Sequence, residues 1–596
     1  MTEKEGRQVI VIGAGPAGLT AAYELTKYGE TPIVLEQMDI VGGLSRTESY
    51  KDYYFDMGGH RFFTKSKEAS AMWHEILGDD FLLRPRLSRI YYRNKLFYYP
   101  LQIFNALLGL GVWQAILIVL SFIKWQIFPY QKEESFEQWV TNRFGKRLYE
   151  IFFKTYTEKV WGIPCKELRA EWAAQRIKDL SLKTALLNRL VKPKQTIKTL
   201  IEEFHYPRQG PGMLWNAVKE EVERRNGTVH LNSEVVRIHL QGNCITSVIV
   251  SDNGSGTQMI HGTDFISSMP VSEFIKKLDH APSKVLKAAH KLTYRDFITV
   301  GLIVNRPNLF PDNWIYVHSP DVKVGRIQNF KNWSSDMVPD PSKTSLGLEY
   351  FCTEGDALWN TADAELVELA KQELEQIGLA RYTEVEEGVV FRVPKAYPVY
   401  GSEYHHDLEI VQEFVNKLEN FQTIGRNGLH RYNNQDHSMI TGMLAARNIM
   451  LGEKNNLWSV NTDFEYHEEV RAVEGKAEAD EIFKNTLTQV FSRIDPIAFG
   501  LAIGITAGMV LSLVTLVLVI RNGEIAGPHL QLLSHFFPGY FVSWSGSLIG
   551  WFYAFITGFA IGWGVAYLHN IAIYISALWI HKDIEADRLK RFLDYL

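Results

Sequence analysis

The chain has 596 residues, of which 46% are hydrophobic and 13% aromatic; this excludes global disorder and allows several domains. The net charge of −5 excludes the strongly basic balance of a nucleic-acid-binding protein. The three cysteines, Cys165, Cys244 and Cys352, are too few and too scattered for a disulfide framework or a zinc site, so no metal is expected and a reducing compartment is the simple reading.

The N-terminal MTEKEGRQ is charged and runs straight into an apolar strand, Gln8–Ile12, so no signal peptide is expected. Gly13-x-Gly15-x-x-Gly18 follows, then a helical pattern from Leu19 to Tyr28, then a second strand, TPIVLE, that ends on Glu36. This β-α-β unit predicts dinucleotide binding. The glycines let backbone amides approach a pyrophosphate at a helix N-terminus, and Glu36 stands where an acid holds ribose hydroxyls. Two further glycine pairs lie in VGGLSRTE (Val41–Glu48) and DMGGHRFF (Asp56–Phe63).

Residues 60–200 read mostly as helix, with apolar spacing around Phe136–Phe153 and Trp172–Leu187. Residues 228–270 and 295–350 alternate like strands, and Ala362–Ile377 reads as a helix. The polar stretch IGRNGLHRYNNQDHSM, Ile424 to Met439, opens a last helix of the soluble part.

Pro496–Ile520 is uncharged and of membrane-span length. A second apolar stretch, Phe536–Ile580, is longer than one perpendicular span needs, so tilt, a break or an interfacial end is expected. Both carry small residues at every fourth position (Gly500, Gly504, Gly508, Ser512; Gly546, Gly550, Ala554, Gly558, Gly562, Ala566), which suits close packing within a hairpin or in a homo-oligomer. Basic residues flank the hairpin outside its loop, so the positive-inside rule places the soluble part and both termini in the cytoplasm. Ile103–Ile123 is a third uncharged stretch. A crossing there would separate the first glycine motif from later segments of the same site, so it reads as an in-plane membrane-contacting element or a buried helix.

Taken with its order along the chain, this set of motifs resembles the amine-oxidase-like FAD flavoproteins, and over residues 7–451 more specifically the UDP-galactopyranose mutases of the eukaryotic branch. The resemblance implies FAD as cofactor, active when reduced, with NAD(P)H as external reductant. It also implies an α/β fold: a Rossmann-type FAD-binding domain in three parts (1–95, 206–275, 421–455) with an inserted helical domain (96–205) and an antiparallel β-sheet domain (276–420). A linker and helix (456–495), two transmembrane helices (496–580) and a tail (581–596) complete the chain. GGHRFF places Gly59 and His60 beside the flavin, and FYYPLQ places Tyr99 and Gln102 on the uracil. The segment ending in KTYTEKVWGIP contributes Tyr156 and Trp161 to substrate. EWAAQRI places Arg176, and the run NWIYVHSPDVKVGRIQNF places Tyr316 and Arg326, on a diphosphate. KAYPVY supplies Tyr397, and the closing motif supplies Tyr432. Gly13, Gly15, Gly18, Glu36, Gly43, Leu44, Ser45, Arg426, Asn434, Gln435 and Ser438 fall to FAD.

The activity implied is interconversion of pyranose and furanose forms of a carried sugar through a flavin N5–sugar adduct, in polysaccharide synthesis, with the protein supplying position and leaving-group stabilisation. Arginines suit the two charges of a diphosphate, and tyrosine hydroxyls bind its oxygens without adding charge. The membrane segments leave the carrier open between a nucleotide diphosphate and a polyprenyl phosphate. They also leave open a membrane-associated oxidoreductase of the protoporphyrinogen oxidase or desaturase type, acting on an apolar substrate.

Overall fold

The computed structural model describes residues 6–99, 105, 109–170, 203–252, 256–401, 404–461, 495–521 and 528–593. The chain divides into two compact units, residues 1–470 and 471–596.

The first unit holds a parallel five-stranded sheet, in the order Phe421–Thr423, Asp264–Ser267, Val9–Ile12, Ile33–Leu35, Thr228–His230. Its central strand VIVI is buried on both faces, as a parallel strand covered by helices must be. The Pro16–Lys27 helix on one side packs against Pro211–Arg224 and Gln435–Leu451. Gly442 permits the last contact, because a Cβ there would overlap the Ala17 carbonyl.

A second, seven-stranded sheet runs Val385–Pro398, Tyr294–Val304, Thr344–Cys352, Arg326–Asn329, Trp314–Val317, Ser88–Tyr92, Lys95–Tyr98. All neighbours are antiparallel except Trp314–Val317 with Ser88–Tyr92. Here the sequence expectation needs correction. Residues 81–98 are three strands, Phe81–Pro85, Ser88–Tyr92 and Lys95–Tyr98, and not helix. The last two form a hairpin whose turn residues Arg93 and Asn94 have φ of 48° and 60°, the left-handed pair that tight hairpins require. This hairpin belongs to the second sheet, so a domain boundary at residue 95 would cut it in two.

A helical layer covers one end of that sheet. Phe136–Phe144 starts in a capping box in which the Ser135 and Gln138 side chains each satisfy the other's backbone amide. A π-turn at Glu150–Lys154 separates Lys146–Tyr149 from Thr155–Trp161. Such bulges recur where a helix must present side chains to a site.

The second unit contains two helices long and apolar enough to cross a membrane, Pro496–Ile520 and the first 28 residues of Trp544–Leu593, to Ile571. Of the tilt, break or interfacial end expected for the second apolar stretch, the structure shows a break: its start folds into turns, with Tyr540 buried, before the helix begins at Trp544. The small-residue stripes are spent inside the chain. Gly500 and Gly504 receive Phe559 and Phe555, Gly508 receives Trp551, and Gly558 and Gly562 face Ile503, Gly504 and Gly500. Ser512 and Ser547 hydroxyls lie 2.8 Å apart, and those of Thr515 and Tyr540 2.7 Å apart. Those stripes pack the two helices of the hairpin against each other.

Candidate active site

The N-terminal glycine turn forms a cradle. Gly13 has φ +97°, and a Cβ there would collide with the Ser268 hydroxyl; a Cβ on Gly18 would overlap the Gly13 carbonyl. Gly15 starts the first helix with no side chain capping its amides, and the Gly43–Ser45 turn approaches it, a Gly43 Cβ coming within 3.2 Å of the Gly15 Cα. Glu36 is buried; its carboxylate accepts from the amides of Ala14 (2.7 Å) and Met38 (3.0 Å). Burial raises its pKa, and those two amides with Arg46 oppose the rise. Side-chain-free backbone, uncapped amides at a helix start and a carboxylate with lone pairs to spare fit the pyrophosphate and ribose of a dinucleotide.

The closing motif returns to the same cradle. Gly425 (φ +82°) faces Ala17, a Cβ there coming within 3.0 Å of the alanine's, and its amide donates to Thr441 Oγ1 at 2.9 Å. Asn434 caps the Gln435–Leu451 helix, Gln435 Oε1 accepts from Trp215 Nε1 at 3.2 Å, and Ser438 is buried in the first turn. Arg426 donates to the carbonyls of Asn433 (2.8 Å) and Ala396 (3.0 Å), and its guanidinium lies 4.7 Å from the Tyr432 ring centre and 5.7 Å from that of Tyr397. It thus supports the tyrosines directly, beyond the FAD role expected of it. Leu44 and Tyr432 pack against one apolar cluster.

Sheet register builds the substrate side. Tyr316 pairs with Arg326, and Arg326 with Glu349, across three neighbouring strands, so these side chains share a face. Glu349 is fully buried and accepts from Arg326 Nε (2.8 Å) and Nη2 and from Gln328 Nε2 (2.9 Å). Burial works against the charge of Arg326, but Glu349 and the nearby tyrosines carry its pKa well above the ordinary value. Arg326 Nη2 also reaches the Tyr397 hydroxyl at 3.5 Å. Burial pushes the Tyr397 phenol up to about 12.

Aromatic rings wall this recess. Tyr397 stacks on Tyr432 at 5.5 Å and 8°, and Trp161 lies within 6.5 Å of Tyr397, Tyr400 and Tyr432. Tyr316 meets Tyr99 at 4.8 Å and Tyr156 at 5.4 Å; Tyr156 in turn stacks on His318. His60 sits at the junction with the cradle, its Nε2 2.8 Å from the Met57 carbonyl. Burial lowers its pKa to about 4, with Arg426 and Arg326 adding to the effect. A Cβ on the preceding Gly58 would lie 3.5 Å from His60 Nε2 and 3.7 Å from Arg326 Nη2, and one on Gly59 would press on the Gln328 amide.

The described expected residues therefore assemble into one cradle and one recess. Gln102 and Arg176 lie outside the described residues. Four participants were not anticipated: Glu349, Gln328, Arg61 and Arg86. Arg61 lies over Trp314 at 5.9 Å. Arg86 donates to Ser88 Oγ (3.0 Å) and the Tyr99 carbonyl (3.2 Å); burial and then Arg61 lower its pKa, against Tyr316 and Tyr99. The signals available were the position of Arg61 directly after His60 and the basic run RPRLSR around Arg86.

Comparison with known proteins agrees with this geometry at the level of fold. The chain is 24% identical over 397 residues to a 15-cis-phytoene desaturase from an Oncidium hybrid cultivar, covering 63% of this chain and 65% of that protein. It thus spans somewhat less than two thirds of that relative. A 61-residue stretch is 44% identical to an L-amino-acid oxidase of Crotalus adamanteus, 10% of this chain and 12% of that one. Among solved structures, a reduced UDP-galactopyranose mutase superposes with a TM-score of 0.66 at 22% identity, over 76% of this chain and 98% of that one. A putative protoporphyrinogen oxidase from Exiguobacterium does so with 0.58 at 16% identity, over 75% and 100%. Residues 16–413 match the family profile described as flavin containing amine oxidoreductase, and the chain belongs to that family.

Proposed function

We propose that this protein is a flavin-dependent mutase that interconverts the pyranose and furanose forms of a sugar carried on a nucleotide diphosphate or a lipid phosphate, for cell-surface polysaccharide synthesis. The observation that carries the reading is the recess lining: Arg326, Arg61 and Arg86 among Tyr99, Tyr156, Tyr316, Tyr397 and Tyr432. Such groups match phosphate oxygens, whereas an apolar substrate would make no use of their charge or hydroxyls.

Reduced flavin, when bound, supplies the nucleophile toward the anomeric carbon. The chain's residues bind and orient the diphosphate as it leaves. Arg326 keeps its charge because Glu349 holds it. The tyrosines donate without adding charge. His60 is neutral above about pH 4, and the Met57 carbonyl beside its Nε2 favours the tautomer protonated there. NAD(P)H is the proposed reductant, and the catalytic unit and both termini are proposed to be cytoplasmic.

The sequence likeness to phytoene desaturases and the two apolar helices favour a second reading, a membrane-associated FAD-dependent oxidoreductase acting on an apolar or lipid-linked substrate. One experiment separates the two. Purified protein is incubated oxidised or NAD(P)H-reduced with UDP-sugars and polyprenyl-phosphate sugars, and product is resolved by ring form. The mutase reading expects turnover only after reduction, with no further reductant consumed. Stoichiometric consumption of oxygen or another acceptor by the oxidised protein overturns it in favour of the second.

A further inference from the structure

Among the described residues, the Val112–Ile127 helix is held from one side. Ile118 is fully buried. Gln114 Oε1 accepts from Arg147 Nε (3.2 Å) and Nη2 (2.9 Å), Ser121 Oγ from the Arg147 amide (3.1 Å), and Gln126 donates to the Asn142 carbonyl (2.8 Å). These bonds fasten the helix to its neighbours Phe136–Phe144 and Lys146–Tyr149. The other side carries Trp113, Ile116, Leu120, Ile123 and Ile127. Alternate steps of three and four place them on one stripe. They are 70%, 45%, 57%, 47% and 62% exposed, and Phe128, 69% exposed, extends the row. The row is ~20 Å long. Contiguous apolar surface of this extent marks an interaction face.

Three observations select its occupant. From Phe81 to Lys132 the sequence contains no Asp or Glu but seven basic residues; Arg89 is paired with Asp312 and Arg86 belongs to the recess, which leaves Arg84, Arg93, Lys95, Lys124 and Lys132, in a chain whose net charge is negative. Within the helix itself, Lys124 folds beside Trp125, its ammonium 5.8 Å from the ring centre, the arrangement of a side chain that can snorkel from an apolar surface. Finally, the same chain bears two helices of membrane-crossing length. Residues 462–495 join the last described part of the first unit to them and reach at most ~120 Å, so a bilayer holding those helices is always within range, and docking is intramolecular.

We propose that the Trp113–Phe128 face lies in the headgroup–acyl boundary of a bilayer containing anionic lipid, as a membrane contact of the first unit separate from the C-terminal hairpin. Row, charge and tether describe an interfacial helix.

The test uses the full chain in nanodiscs of phosphatidylcholine with one-quarter phosphatidylglycerol. In a Cys244→Ser background, in which Cys165 and Cys352 are buried, single cysteines are placed by Ile116→Cys, Leu120→Cys and Ile123→Cys. The control is Gln372→Cys, exposed on the Asp363–Ile377 helix. Each carries an environment-sensitive dye, and retained flavin absorbance reports folding. Spin-labelled lipid is expected to quench positions 116, 120 and 123 about threefold or more above the control, and aqueous iodide to quench them correspondingly less. Iodide quenching at 120 equal to that at 372 overturns the proposal, because the face is then in water. Shielding from both quenchers with cross-linking between copies overturns it in favour of a dimer, and shielding without cross-linking in favour of coverage by the chain's own segments. A chain that does not enter the nanodisc overturns it as well.

Discussion

Glu349 changes what a substitution at Arg326 can report. Arg326→Ala strands a fully buried carboxylate, a loss of about 3–5 kcal/mol by the usual cost of breaking a buried pair. Arg326→Leu with Glu349→Leu is expected to recover most of it, checked by urea unfolding of both variants. Diphosphate affinity is better read from Arg326→Lys, which keeps a charge and loses the fork. Acid stability has its own residue-scale source. His60, His318 and His430 have pKa values lowered by burial to about 4, 3 and 4. Each is neutral when folded and binds a proton near pH 6.5 when unfolded. The stability they allow is present above 6.5 and falls with pH towards those folded values, by up to about 1.4 kcal/mol per pH unit per histidine. Asp56, raised to about 7 by burial against its bonds from Tyr206 and Thr47, acts in the opposite sense. Melting across pH 4–7 should show a shallower acid slope in His430→Gln and a steeper one in Asp56→Asn. Tyr316, Arg326, Tyr397 and Tyr432 were legible because each sits in a motif. Glu349 was not: in SLGLEYF it reads as the polar position of an alternating strand, and only register with Arg326 on a strand buried on both faces gives it a meaning.

Among the elements, the β-α-β start was legible because glycine spacing, strand and helix all lie within thirty residues. Gly18→Ala should sharply lower flavin absorbance per chain, since its Cβ would overlap the Gly13 carbonyl inside the turn; a variant with full flavin would show that this turn does not hold the cofactor. The hairpin at 88–98 was hidden by its composition. Its turn, Arg93–Asn94, lacks the glycine that usually announces one. Ile103–Ile123 could not be resolved by composition alone, because a helix apolar all round reads alike whether buried or in lipid. Which side of its described part packs on neighbouring helices is shown by its polar residues, which Arg147 bonds from outside the segment.

At the scale of the whole molecule, crossings by both candidate helices would return the chain to the side it left. A reporter fused after Leu596 is therefore expected on the cytoplasmic face, and an external signal overturns the proposed orientation. The first apolar helix was legible from uncharged length. The start of the second was not, because Phe536–Ser543 is as apolar as the helix it precedes but folds into turns. The parallel sheet that begins the chain carries a further consequence, one of timing. Val9–Ile12 gains Ile33–Leu35 at once, but its other neighbour is Asp264–Ser267, and the strand beyond that is Phe421–Thr423. At roughly 5–20 residues per second of synthesis, the last strand emerges some 20–80 s after the first. For most of that interval the nascent chain displays an unmatched apolar edge, the kind that recruits wrong partners. The flavin cradle closes only as Gln435–Leu451 appears, shortly before the first membrane-length helix leaves the ribosome. Production of this protein is thus expected to respond to translation speed and chaperone supply as well as to the stability of what has folded.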